Sequence, residues 1–155
     1  MTVEKIYNVA FNSYTGTGTD TRSLSYNFDW TILEEGQYEV TWSMATSQYT
    51  FANPAVYSPC YVQVDLGQQL YPLNSNSKII GCCNTPNLSN GLTSYYYASN
   101  IMNPTMYLSH RPNSNTFTIR LLQNTQANGL APFYINNAAI GSYIIFFQFK
   151  KLKQL

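Results

Sequence analysis

Residues able to do chemistry are few in this sequence and lie far apart. One histidine, His110 in LSHRPNS, and three cysteines, Cys60, Cys82 and Cys83, supply all the imidazole and thiol groups of 155 residues. A Cys–His nucleophile pair needs a thiol within reach of the ring and a third group, such as Asp65 or an asparagine, to orient it. A zinc site built from Cys60, Cys82 or Cys83 with His110 needs strand pairing to gather distant ligands. Cys82 and Cys83 project to opposite faces of a strand, so only one of them can readily join such a site. No CxxC or Cys/His spacing supports either arrangement, and an odd count with a vicinal pair is no disulfide framework. The thiols read as small apolar side chains kept reduced, as in a cytosol, and His110 as a loop residue making an ordinary hydrogen bond.

The carboxylates are Glu4, Asp20, Asp29, Glu34, Glu35, Glu39 and Asp65. A glycosidase pair must sit about 5 to 10 Å apart in a cleft. Glu34 and Glu35 share an exposed turn, and Asp29 and Glu39 are placed to face each other on the polar sides of adjoining strands. Both pairs read as solvated surface charge. The stretch TGTGTDT, Thr15 to Thr21, offers one carboxylate, no EF-hand spacing and no following GK[ST], so it reads as a flexible turn rather than a calcium or phosphate loop. No catalytic residue, metal or cofactor is assigned, and the expectation is a protein that is not an enzyme.

Charged residues make up 10% of the chain, against about 25% in typical soluble proteins. Aromatic residues reach 15%, with 14 Tyr and 8 Phe, and Asn, Ser, Thr and Gln take the place of charge. A net charge of +1 leaves little repulsion between copies, which favours self-association. It also disfavours nucleic acid as a partner, since few phosphate counterions can be displaced. The start, MTVEKIYNVAFN, has no pattern of a secretory signal. The longest apolar run, Tyr143 to Phe147, is far short of the roughly 20 residues of a membrane-spanning helix, so no membrane span is expected.

The elements that must position these residues announce themselves by a period of two. Leu24, Tyr26, Phe28, Trp30 and Ile32 alternate with Ser23, Ser25, Asn27, Asp29 and Thr31, and after Glu34-Glu35-Gly36-Gln37 the pattern resumes in Tyr38, Val40, Trp42 and Met44. The reading is an all-β, eight-stranded single domain over 1–155, with strands near 3–12, 22–33, 37–46, 60–66, 77–83, 104–110, 115–123 and 142–150. Tyr95-Tyr96-Tyr97 is a candidate for a short additional strand and 136–140 for a helical turn. Eight strands separated by Asn-, Ser-, Gly- and Pro-rich loops suggest an antiparallel jelly-roll sandwich.

The segment SLSYNFDWTILEEGQYEVTWSMATS, Ser23 to Ser47, resembles a region of single jelly rolls in which a long alternating strand, a short Gly-containing turn and a Tyr-led strand follow one another. C1q and tumour-necrosis-factor-like heads share this pattern with the single jelly-roll capsid and penton proteins of the lineage containing adenovirus-like phages, virophages and large DNA viruses. The closing GSYIIFFQFKK is similar to the last strand of both groups. The Asn/Tyr-rich composition, the absence of a secretory signal pattern and the reduced cysteines favour the viral group. That resemblance implies a structural virion protein, a penton or minor capsid subunit made in a host cytoplasm. Its partners would be copies of itself, as a pentamer rather than a trimer, and other capsid proteins, with a host receptor or glycan as a further contact. A major capsid protein of this lineage carries two jelly rolls, and this chain has length for one. The alternative is a C1q/TNF-like or carbohydrate-recognising head. A cupin-like enzyme needs several His ligands, and one is present.

Two sets of residues are candidate contacts. In the last strand Tyr143, Ile145, Phe147 and Phe149 form the core face, leaving Ile144 and Phe146 on the other as a candidate subunit interface, worth on the order of 3 to 5 kcal/mol when buried. Lys150, Lys151 and Lys153 keep the strand end hydrated. Tyr49, Phe51, Tyr57, Tyr95, Tyr96 and Tyr97 lie in or near loops among Asn and Ser, a composition suited to contact surfaces.

Overall fold

A computed structural model of the chain describes residues 2–20, 23–47, 60–66, 78–83, 95–97, 105–125, 129–132 and 142–153. Eleven β-strands are found among them: β1 (Val3–Asn12), β2 (Thr17–Asp20), β3 (Ser23–Asn27), β4 (Tyr38–Ser47), β5 (Cys60–Val64), β6 (Ile79–Cys83), β7 (Tyr95–Tyr97), β8 (Met106–Leu108), β9 (Thr116–Thr125), β10 (Gly129–Pro132) and β11 (Ser142–Leu152). The all-β reading holds. Among the described residues no helix is long and apolar enough to cross a membrane. The expected helical turn at 136–140 lies outside them.

Two antiparallel sheets face each other as a sandwich. The first runs β1-β11-β4, and β7 and β8 both pair with β4. Since β4 gives one edge to β11 along its whole length, β7 against Met44–Thr46 and β8 against Tyr38–Val40 lie end to end along the other. The second sheet runs β2-β3-β9-β5-β6, with β10 folding back on the end of β9. The closing strand β11 is therefore interior, hydrogen-bonded on both edges, with Phe147 opposite Val9 on one side and Trp42 on the other.

Alternation builds the core directly. Val9 and Phe11 of β1, Leu24 and Tyr26 of β3, Tyr38, Val40, Trp42 and Met44 of β4, Val62 and Val64 of β5, Phe117, Ile119 and Leu121 of β9, and Tyr143, Ile145, Phe147 and Phe149 of β11 are all buried. Phe11 is the hub. Its ring meets Phe117 at 4.8 Å, Phe28 at 5.3 Å, Tyr26 at 5.5 Å and Phe147 at 6.1 Å, all edge to face, the geometry favoured by aromatic quadrupoles. Polar handles join the layers: the Tyr26 and Tyr143 hydroxyls lie 3.0 Å apart, and Trp42 Nε1 donates to the Ile80 carbonyl at 3.0 Å. Burial pushes the Tyr26 phenol above its ordinary range, against the opposing effect of its bond to Tyr143.

The sequence pattern misses β10 (Gly129–Pro132), where no strand is expected, and misleads in two further places. The expected strand 22–33 ends at Asn27, and a 3-10 turn follows at Trp30–Ile32. The Asp29 carboxylate caps it by accepting from the Thr31 amide at 3.0 Å, which holds that carboxyl below its usual range. The inward positions become Trp30 and Leu33, at a spacing of three, while Ile32 is 53% exposed. The stretch TGTGTDT contributes strand β2 rather than only a turn. Gly16 leads into it because a Cβ there would fall 2.8 Å from Leu24 Cβ and 2.9 Å from Tyr26 Cζ.

Candidate interaction surfaces

The outer face of the first sheet is set by the even positions of β1 and β11. Registry puts Phe146 between Ala10 and Ser43, and Ile144 between Asn12 and Ala45. Phe146 is 42% exposed and Ile6, on the same face of β1, 52%, whereas Ile144 is half-buried. Between these apolar side chains Gln148 Nε2 donates to Asn8 Oδ1 at 3.2 Å. Of the loop tyrosine set, Tyr49, Phe51 and Tyr57 lie outside the described residues. Tyr95, Tyr96 and Tyr97 form β7 on the edge of β4, in register with Thr46, Ala45 and Met44.

Two of the three lysines that follow the last apolar run, Lys150 and Lys151, are engaged within the fold. Lys151 Nζ reaches Glu34 Oε2 at 2.8 Å and Glu4 Oε2 at 3.4 Å, and Lys5 reaches Glu34 Oε1 at 2.6 Å. Lys150 meets Glu39 at 2.8 Å, Arg111 meets Glu35 at 2.6 Å, and Arg111 also donates to the Leu33 carbonyl at 2.9 Å. Of the chain's 8 basic and 7 acidic side chains, four of each sign are paired here, in three groups that are each electrically neutral. Bonds from Lys151 and Lys5 pull the Glu34 carboxyl down to about 2, and Glu34 in turn raises both amines. Beneath it the Tyr38 hydroxyl donates to the Glu34 carbonyl, and burial first of all pushes that phenol up to about 12.

A third surface opens where the end of β5, the start of β6 and the start of β9 converge, as a groove of about 470 Å³. Buried Leu66 and Phe117 contribute apolar surface to it. Around them stand Asp65, Lys78 and Arg120, with Gln63, Asn113, Ser114, Thr116 and Thr118 supplying amides and hydroxyls. Lys78 Nζ is bonded to Asp65 Oδ2, and the Lys78 carbonyl accepts from the Val64 amide at 3.2 Å. Lys78 holds φ at 51°, a left-handed conformation costly for a side chain larger than Asn. Arg120 is exposed, directly opposite Gln63 in the β5–β9 register.

Among the described residues, the contacts seen do not bring together the arrangements considered for catalysis. Asp29 and Glu39 are not on adjoining strands, because β3 ends at Asn27 and β4 belongs to the other sheet; one caps the 3-10 turn and the other pairs with Lys150. Cys60 and Cys83 are register partners across β5 and β6, whereas His110 follows β8 of the other sheet, its Nδ1 2.7 Å from the Arg111 carbonyl. Among the described residues no three His, Cys, Asp or Glu side chains are grouped to hold a metal. The groove escaped the sequence reading because Asp65, Lys78 and Arg120 meet only through sheet registry. Comparison with family models, curated proteins and solved structures finds no match to this chain.

Proposed function

We propose that this chain is a non-enzymatic structural protein, a single jelly-roll subunit of a viral capsid acting as a penton or minor capsid component, which assembles through lateral contacts with copies of itself and with other capsid proteins. The observation that carries the reading is strand order. In chain sequence, β1 lies in the first sheet, β2 and β3 in the second, β4 in the first, β5 and β6 in the second, β7 and β8 in the first, β9 and β10 in the second, and β11 returns to the first. If β7 and β8 share one position, and β2 and β10 are accessory, the sheets read first-last-third-sixth and second-seventh-fourth-fifth. That alternation supports a jelly-roll winding, an arrangement used by capsid and lectin domains among others.

The lateral contact is assigned to the outer face of the first sheet, around Phe146, Ile144 and Ile6. Exposed Phe146 and Ile6 on one sheet face, in a chain with a net charge of +1, favour association between copies. Light scattering coupled to size exclusion is expected to give a closed oligomer, a pentamer ahead of a trimer, with electron microscopy defining its symmetry. The double variant Ile144→Ser/Phe146→Ser is expected to shift it to monomer with an unchanged circular dichroism spectrum. A strictly monomeric wild-type chain at high concentration, or assembly unaffected by the double substitution, overturns this interface.

A further inference from the structure

We propose that the groove between β5, β6 and β9 is a binding site for an acidic saccharide, with the Arg120 guanidinium taking the acid group and the surrounding amides and hydroxyls taking the ring hydroxyls. Charge selection is the first argument. In a chain with 8 basic and 7 acidic residues, three charges line this one groove, and Asp65, Lys78 and Arg120 together leave it at +1 among the described residues. Lys78 is ion-paired with Asp65, so Arg120 carries the net positive charge of the three. A planar guanidinium can engage a carboxylate or sulfate by two parallel hydrogen bonds.

The rest of the lining selects a polyhydroxylated partner. Thr116 and Asn113 can each donate and accept, the pairing that vicinal hydroxyls need, and Thr118, whose hydroxyl lies 3.3 Å from Ser25 Oγ, keeps one further hydrogen-bonding capacity. The volume of about 470 Å³ falls within the roughly 300 to 1,000 Å³ of small-molecule sites. A nucleotide is a poorer fit, since the aromatic side chain at the groove, Phe117, is 4% exposed and occupied in the core, leaving no face for a base among the described residues. Backbone geometry supplies an independent sign: Lys78 at φ 51° occupies a position that Gly or Asn would hold more easily, and residues kept in such conformations cluster at ligand sites. The inference does not depend on how copies of the chain assemble.

Titration of the 15N-labelled full chain with N-acetylneuraminic acid, glucuronic acid, glucose 6-sulfate, glucose and sodium acetate tests it by amide shifts. At least one acid sugar is expected to move the amides of Asp65, Lys78 and Arg120 with a Kd on the order of 1 mM, and the preferred one identifies the acid group. Glucose and acetate should each bind at least about tenfold more weakly, and Arg120→Gln should lose about tenfold for the acid sugar while its spectrum elsewhere is unchanged. Silence with all three acid sugars, acetate binding as well as the sugars, or full affinity in Arg120→Gln overturns the proposal.

Discussion

Glu34 shows how a single residue can tie distant parts of this fold together. It stands in the turn before β4 yet touches Lys5 of β1 and Lys151 of β11. A carboxyl held at about 2 instead of its ordinary 4.5 adds stability above the ordinary value and loses it as pH falls between the two. Lys5 and Lys151, raised above 10.5, add stability that is present below that value and lost as pH rises through their folded values. Tyr38 behaves likewise between 10.0 and about 12, because burial favours its neutral form. Thermal midpoints should therefore be flat from about pH 5 to 10 and fall on both sides. Glu34→Gln should flatten the acid limb between about pH 4.5 and 2 and, since exposed pairs are weak, change the thermal midpoint little at pH 7. An unchanged acid limb in differential scanning calorimetry would remove this residue from the account.

At the scale of elements, alternation made most of the sheet legible from the chain alone. Strands β1, β4, β9 and β11 lie close to where a period of two places them, because one face of each is buried and the pattern has to match the pleat. The segment after Asn27 defeats the same reasoning. Its apolar residues continue at even positions, but the Asp29 cap wins locally and rotates Leu33 inward in place of Ile32. Strand β2 was hidden because Gly and Thr read equally well as a turn; what decides it is the close seat of Gly16 against Leu24 and Tyr26. Neither the groove nor the charge cluster could be read in advance, since both depend on which strands become neighbours. Gly16→Val is predicted to destabilise the chain by about 1 to 3 kcal/mol through that contact, measured as a lower urea midpoint at unchanged m. A midpoint equal to wild type would mean that the hairpin is free to shift away.

The whole molecule is held by contacts between residues far apart in sequence. Tyr26 and Tyr143 meet in the core, Trp42 bonds to Ile80 across the sandwich, and β3 pairs with β9 some 90 residues later, as in Ser25 opposite Thr118. Such topologies fold slowly, because loop closure precedes its reward. Refolding followed by Trp30 and Trp42 fluorescence is predicted to take milliseconds to seconds, and a microsecond phase carrying the full amplitude would contradict it. The interior place of β11 has a consequence for synthesis. On a ribosome, β1 and β4 emerge long before residues 142–152, and each must wait with an unpaired edge and an apolar face for the one strand that joins them. The nascent chain is thus most prone to aggregate until residues 142–152 have emerged, and a chaperone that shields strand edges would matter more to its yield than any gain in native stability.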